Sequence, residues 1–160
     1  MAPGTGSLIV GDFPFDGVLI EHVIEWQIAH YAEAFPSFDH ADWTEFYSAW
    51  VNRGAEAMPV VLAGFDGDVC VGTVAIVEHD DLDDERTPWI AAMIVDPAKR
   101  GRGIGTQLLA AALLRCKNEG IRRVHLWTHD QADWYHRSGW TSEETRVFRG
   151  VEITVFSRVV

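Results

Sequence analysis

A strand that runs into a basic, glycine-rich turn and then into a helix constrains this sequence more than any other feature. The apolar run at residues 89–95 predicts the strand, and residues 104–118 predict the helix, whose apolar side chains form one stripe. Glycines in the turn between them allow backbone N–H groups to converge on one point. The start of the helix adds unpaired N–H groups and the positive end of its dipole. Such a turn is typical of a phosphate-binding site.

The cations of the turn, and the residues that it lacks, narrow the choice of phosphate-binding loop. Lys99, Arg100 and Arg102 place three positive charges in four residues of an acidic chain. A Walker loop would need Gly-Lys followed by Ser or Thr at the helix start, and this turn has none. A dinucleotide-binding fingerprint would need a glycine where Thr106 stands. An ordinary turn without a ligand is the remaining alternative, and the cations argue against it.

The spacing of the turn supplies a family resemblance. The pattern Arg100-x-x-Gly103-x-Gly105 follows a strand that ends in Val95 and then an Asp-Pro pair. In this form it resembles the pyrophosphate loop with which the GNAT superfamily of acetyltransferases binds acyl-CoA. The resemblance implies that acetyl-CoA is a co-substrate and that no metal takes part. The residues it implies for acetyl-CoA binding are Met93, Ile94, Val95, Arg100, Gly101, Arg102, Gly103, Ile104, Gly105 and Thr106.

A second motif lies nearer the end of the chain. Tyr135 stands four residues before Gly139 and Trp140, on a short predicted helix. GNAT enzymes commonly place a Tyr-x-x-x-Gly-aromatic element here, so the resemblance implies that Tyr135 is the general acid for the departing CoA thiolate. The structural alternative is a tyrosine whose ring packs in the core. The Thr-His-Asp-Gln run at residues 128–131 resembles the subgroup of the actin N-terminal acetyltransferase and its bacterial relatives.

The order of the predicted elements indicates an α/β fold. Predicted strands cover residues 7–10, 59–65, 69–78, 89–95, 124–128, 146–150 and 151–159, and predicted helices cover residues 21–35, 42–53, 104–118 and 131–137. This order predicts a mixed sheet with helices on both faces. The strand at residues 89–95 is apolar on both faces and is expected to be central. The order is also that of the GNAT fold, which implies a mostly antiparallel sheet, splayed at the acyl-CoA site.

Length and charge bound the class of protein. With 160 residues, the chain is expected to form one GNAT domain, residues 1–160, in which residues 1–6 are a loose tail. A net charge of -11 argues against nucleic-acid binding and favours a cationic substrate. No apolar run near the start is long enough for a signal peptide or a membrane span, so a cytoplasmic protein is expected, with a homodimer as one assembly. Cys70 and Cys116 are predicted to be core residues.

The proton acceptor is the least determined part of the predicted site. The resemblance implies that the amine attacks the thioester directly, and neither cysteine has a neighbouring base that would make it an acyl carrier. Many relatives supply a glutamate from the strand at residues 89–95, which has no carboxylate here. Glu78, His79 and His129 are the candidate bases, and each could equally be a surface residue.

An acidic run follows the strand that ends near Glu78. Asp80, Asp81, Asp83, Asp84 and Glu85 could be a solvated loop, or a lip that attracts a polyamine, an aminocyclitol or a basic peptide terminus. Trp26, Trp43 and Trp50 could line the same cleft, or pack in the core as helical aromatics usually do.

Three functions remain open at this point. The first is an acetyl-CoA-dependent N-acetyltransferase that acts on a small or cationic amine. The second is an acetyltransferase of protein or peptide N-termini, which the Thr-His-Asp-Gln resemblance suggests. The third is a CoA-binding module without turnover, against which the Tyr135 motif argues.

Overall fold

The computed structural model describes residues 8–14, 16–53, 58–82 and 84–160, and in these residues seven strands form one sheet. The strands are Ile9–Asp12 (β1), Val60–Asp66 (β2), Val69–Val77 (β3), Trp89–Val95 (β4), Arg123–Thr128 (β5), Thr141–Phe148 (β6) and Val151–Val159 (β7). The helices are Gly17–Tyr31 (α1), His40–Asn52 (α2), Ile104–Asn118 (α3) and Ala132–Arg137 (α4), with a short 3₁₀ turn at Pro97–Lys99. The strand order is β1-β2-β3-β4-β5-β7-β6. The predicted tail at residues 1–6, the first residue of the predicted strand 7–10, and Asp83 lie outside the described residues.

The sheet is mixed and mostly antiparallel, as predicted. All neighbouring strands pair antiparallel except β4 and β5, which are parallel. Of the described residues, β4 and β5 pair only at Trp89 and His125. Beyond that bridge the two strands separate, so the sheet is splayed at its centre and the rest of β4 has a free edge toward β5.

A bulge in β4 lies beside this opening. The pairing of β3 with β4 shifts register between Thr73 and Ala75, where β4 carries one more residue than β3. Ala92 lies in the bulge with φ of +51°, a conformation that is uncommon for alanine. The Gln27 side chain of α1 donates a hydrogen bond of 3.0 Å to the Ala92 carbonyl oxygen, and so fixes the bulge from one face of the sheet.

The helices cover both faces. Gly72 of β3 faces α3, because a Cβ built there would lie 2.8 Å from Leu108 Cδ1. The next residue, Thr73, points to the opposite face, where it lies beside Tyr47 of α2. Gln27 reaches the same face and donates a hydrogen bond of 3.1 Å to the Tyr47 hydroxyl. Helices α1 and α2 therefore pack opposite α3, and helices on both faces of the sheet were predicted.

Several element bounds differ from the prediction. Helix α1 begins and ends four residues earlier than predicted. Its start is set by the Asp16 side chain, which accepts hydrogen bonds from the N–H groups of Val18 and Leu19. Helix α2 begins at a capping box between Asp39 and Asp42. Strand β6 begins five residues before the predicted start at residue 146, in an exposed edge strand that lacks apolar alternation.

We expect Gly72→Ala to destabilise the fold by about 1–3 kcal/mol, the usual cost of overpacking a tight core. The added Cβ would lie 2.7 Å from the Ile94 carbonyl oxygen, a backbone atom that cannot move aside cheaply. Gly11→Ala in β1 is the matched control, because nothing lies within 4 Å of its added Cβ. Urea unfolding of both variants checks the prediction, and equal unfolding midpoints would contradict the close approach at Gly72.

None of the helices in the described part of the chain combines the length and the apolar character that a membrane span requires.

Candidate active site

The turn between β4 and α3 presents backbone N–H groups at the start of a helix. Gly101 and Gly103 have φ of +79° and +77°, a region that glycine adopts without strain. Gly103 is the N-cap of α3, and no described side chain caps the helix there. The first N–H groups of α3 are therefore available to an anion, with the positive end of the helix dipole behind them.

A cleft of about 410 Å³ lies where β4 and β5 separate, and we call it the β4–β5 cleft. Its walls come from β4, the glycine-rich turn, the start of α3, the end of β5, α4 and the end of α1. Nine of the ten residues predicted to bind acetyl-CoA line this cleft, namely Met93, Ile94, Val95, Arg100, Gly101, Gly103, Ile104, Gly105 and Thr106. The tenth, Arg102, is exposed and lies outside the lining, whereas Lys99 is part of it.

Tyr135 lines the same cleft from α4. Its ring is buried, with centroid distances of 4.9 Å to Trp134, 6.0 Å to Trp140 and 5.7 Å to Phe156. Burial raises the pKa of the Tyr135 hydroxyl above its usual value, and the Asp130 carboxylate adds to the rise. The hydroxyl therefore stays protonated at neutral pH and can act as a hydrogen-bond or proton donor.

His129 joins Tyr135 in the cleft. Its side chain is 14% exposed, and Nε2 lies 3.7 Å from an Asp130 carboxylate oxygen. The rings of His30 and Tyr31, at the end of α1, each lie 5.8 Å from the His129 ring, centroid to centroid. Burial lowers the pKa of His30, against an opposing effect of the Asp130 carboxylate. The cleft thus holds two imidazoles beside one carboxylate.

Glu78 does not join them. It follows the last residue of β3, its side chain is 74% exposed, and it does not line the β4–β5 cleft. The Nε2 atom of His79 lies 4.0 Å from a Glu78 carboxylate oxygen. Of the four residues predicted to act on protons, Tyr135 and His129 line this cleft together, whereas Glu78 and His79 do not line it.

A second cavity of about 260 Å³ adjoins the first, and we call it the aromatic chamber. Five residues line both cavities and form the junction between them, namely Tyr31, Ile90, Ala91, Ala92 and Trp127. The remaining walls of the chamber are Phe38, Trp43, Phe46, Val77, His79, Asp80 and Asp81. Trp26 and Trp50 line neither cavity, and the Trp50 indole N–H donates a hydrogen bond of 3.2 Å to the Phe13 carbonyl oxygen.

The acidic run is divided between two environments. Asp80 and Asp81 line the aromatic chamber. Asp84 instead accepts two side-chain hydrogen bonds from Arg86, which lower the pKa of Asp84. Arg86 also donates to Glu144 at 2.8 Å, and so ties the loop to β6. Only the first two carboxylates of the described run therefore face the site.

The two cysteines take no part in the site. Cys70 and Cys116 are both buried, as predicted, and neither lines a cavity of the site. Burial raises the pKa of Cys70, and it raises the pKa of Cys116 to about 11. Both thiols are therefore protonated at neutral pH and are poor nucleophiles.

Sequence reasoning missed His30, Tyr31 and Trp127 as residues of the site. His30 and Tyr31 end a helix whose apolar spacing is typical of core packing, and Trp127 lies within a strand. The sequence signal that could have found His30 and Tyr31 is their position at the end of α1, because polar side chains where a helix meets a loop often face a binding site.

The chain is similar to known proteins in sequence and in fold. The family model described as Acetyltransferase (GNAT) family matches residues 20–140 of this chain. A mycothiol acetyltransferase of Rhodococcus erythropolis is 36% identical over 85 residues, which are 53% of this chain. The chain spans about a quarter (25%) of the length of that relative.

Solved structures with the same fold include two coenzyme A complexes. An aminoglycoside 6'-N-acetyltransferase complexed with coenzyme A has a TM-score of 0.75 at 12% identity, covering 94% of this chain and 96% of that one. The PaiA N-acetyltransferase from Thermoplasma acidophilum, in complex with coenzyme A, has a TM-score of 0.75 at 18% identity, covering 96% of this chain and 99% of that one. At these identities the likeness concerns the fold.

Proposed function

The chain belongs to the acetyltransferase (GNAT) family, and we propose that it transfers the acetyl group of acetyl-CoA directly to a primary amine of a small, cationic molecule. The family model assigns the chain to the acetyltransferases, and two solved structures with the same fold are complexes with coenzyme A, which supports acetyl-CoA as the acyl donor. One observation supports direct transfer to a small cationic amine. A single cleft combines an uncapped helix N-terminus, the free edge of β4 and Tyr135, and this cleft adjoins a chamber with two carboxyl groups.

The cleft fits the two ends of the donor. The N–H groups of the turn and the cations Lys99 and Arg100 would hold the pyrophosphate, because glycine at positions 101 and 103 lets the backbone approach it closely. The free edge of β4 offers backbone groups at residues 93–95 to the amide-containing pantetheine arm, in the manner of an added strand. Acetyl-CoA supplies the acetyl group as an activated thioester.

Three groups of this chain would act on the reaction. A backbone N–H near Met93, in the bulge, would polarise the thioester oxygen. His129 would accept the proton that the attacking amine loses, with Asp130 at 3.7 Å stabilising the imidazolium. Tyr135 would donate its proton to the sulfur as the carbon–sulfur bond breaks. The acetyl group would pass directly to the amine without an acyl-cysteine, because both cysteines are buried away from the cleft.

A peptide N-terminus is the second candidate acceptor. The Thr-His-Asp-Gln run at residues 128–131 supports it, because all four of its residues line the cleft. Neither mycothiol chemistry nor aminoglycoside acetylation is carried over to this chain, since the first relative matches over 53% of the chain and the second at 12% identity. A single catalytic domain, a cytoplasmic location and a homodimer stay predictions.

A thiol-release assay with a panel of acceptors tests the proposed function. We expect acetyl-CoA to yield free CoA when small cationic monoamines or polyamines are present, together with one acetamide product for each CoA released. Peptides with a free N-terminus are expected to react more slowly. The absence of CoA release with every amine would overturn the proposal, and faster turnover of peptides would favour the second candidate.

A further inference from the structure

The aromatic chamber lies where an acceptor must meet the donor, and its composition restricts the chemistry of that acceptor. It shares Ala91 and Ala92, the residues at the β4 bulge, with the β4–β5 cleft. At about 260 Å³ it is smaller than the roughly 300–1,000 Å³ that drug-sized ligands occupy. The occupant is therefore a compact molecule whose reacting end points toward the bulge.

Most of the chamber wall consists of packed aromatic rings. Tyr31 and Trp43 stack with centroids 5.8 Å apart and an interplanar angle of 23°. Phe38 meets the Tyr31 ring edge-on at 5.8 Å, and Phe46 lies 5.7 Å from Trp43. Such a wall favours an apolar body through burial, and it favours a cation through the negative faces of the rings.

Asp80 and Asp81 place two carboxyl groups on one side of the chamber. Asp80 Oδ1 accepts a hydrogen bond of 2.7 Å from the Asp81 N–H. No described residue forms an ion pair with either carboxylate, and the imidazole of His79 pairs with Glu78 instead. Burial and the neighbouring Asp81 carboxylate raise the pKa of Asp80. Burial also raises the pKa of Asp81, and the Arg149 guanidinium opposes that rise. A bound cation would be a partner of opposite charge for Asp80, and it would favour the ionised form of that carboxyl group.

A third feature concerns Trp43, which is nine-tenths buried and lines the chamber. Its indole N–H finds no hydrogen-bond partner among the described residues. A buried donor without a partner carries a free-energy cost in the empty protein. A ligand with one acceptor atom, such as a phenol or an ether oxygen, would remove that cost.

We propose that the aromatic chamber binds a primary ammonium ion attached to a compact aromatic body, an arylalkylamine, with Asp80 as the counter-ion of the ammonium group. This inference rests on the proposed function and names the acceptor class for it. A polyhydroxylated amine fits less well, because the aromatic wall would leave most of its hydroxyl groups without hydrogen-bond partners. A polyamine fits less well because each further ammonium group would lose its hydration inside the chamber without a carboxylate as counter-ion.

The experiment uses phenethylamine as the probe, with spermidine, kanamycin and a tetrapeptide as competing acceptors. Binding of phenethylamine to the CoA-saturated protein is followed by tryptophan fluorescence, and turnover is followed by CoA release. We expect Asp80→Asn to raise the Kd of phenethylamine by about 10- to 100-fold, the effect of losing a charged hydrogen-bond partner. Asp68→Asn, an equal charge change in the exposed β2–β3 turn, is the matched control and should alter the Kd less than about twofold. The affinity for CoA should be unchanged in both variants.

The possible outcomes separate the two claims. Tight binding of phenethylamine that depends on Asp80, without CoA release from any amine, would support the chamber as an ammonium site and overturn the proposed function. Turnover of kanamycin, spermidine or the peptide, without phenethylamine binding, would support the proposed function and overturn the inference. An unchanged Kd in Asp80→Asn would also overturn it.

Discussion

Tyr135→Phe is expected to slow acetyl transfer by about 10²–10⁴-fold, the range for the loss of one general acid or base. The substitution keeps the ring that packs against Trp134, Trp140 and Phe156, so the affinity for acetyl-CoA should change little. The hydroxyl that it removes is held protonated by burial, which raises the pKa of Tyr135, and it borders the cleft. Single-turnover kinetics with acetyl-CoA and a reactive amine measures the chemical step itself.

Two comparisons make this result specific. The loss should shrink with an acyl donor whose thiol is more acidic, because such a leaving group needs less help from an acid. Tyr47→Phe is the matched control, since it removes a buried tyrosine hydroxyl that borders neither cavity. It keeps the hydrogen bond from Gln27 to the Ala92 carbonyl oxygen that holds the bulge, so its chemical step should remain near the wild-type rate. Near-normal turnover of Tyr135→Phe, with chemistry rate-limiting, would show that Tyr135 is not the acid. A loss of CoA affinity instead would make it part of the cofactor wall.

Gly103→Val is expected to weaken acetyl-CoA binding by at least about 100-fold. Gly103 has φ of +77°, a conformation that a β-branched residue adopts only under strain. Relief of that strain turns the N–H groups of the turn away from the anion, and each lost hydrogen bond to a charged group is worth about 1.5–3 kcal/mol. Calorimetric titration with acetyl-CoA measures the change.

Gly120→Val is the matched control, because it introduces the same backbone strain at a position that does not contact the proposed ligand. Gly120 also has φ of +77°, follows the other end of α3 and does not line the cleft. This variant should lose stability to a similar degree and bind acetyl-CoA with near-normal affinity. Equal affinities of Gly103→Val and the wild-type protein would mean that the turn does not hold the pyrophosphate.

The best-predicted part of the molecule is the segment with the strongest local signal. The bounds of β4 and α3 agree with the prediction, because a run that is apolar on both faces and a helix with one apolar stripe leave few alternatives. The glycine-rich turn between them followed from the same local signal. Most of the residues predicted for acetyl-CoA binding accordingly line the cleft, and Arg102 is the exception.

The aromatic chamber could not be predicted in this way. Its walls come from α1, α2, β3, β4 and β5, which are far apart in the sequence, and its rings have the spacing of ordinary core residues. Trp43 borders the chamber, while Trp50, about two turns further along the same face of α2, donates a hydrogen bond to the Phe13 carbonyl oxygen, and no local pattern separates the two. The bulge at Ala92 likewise depends on the pairing with β3 and on Gln27.

The most direct test is a crystal structure of the protein bound to a bisubstrate analogue, CoA joined through an acetyl bridge to phenethylamine. We predict pyrophosphate oxygens within hydrogen-bond distance of the N–H groups at residues 101–105, the sulfur beside the Tyr135 hydroxyl, and the phenethyl group in the aromatic chamber. A pyrophosphate bound away from the turn would contradict the assignment of the turn, and a sulfur remote from Tyr135 would contradict its role as the acid.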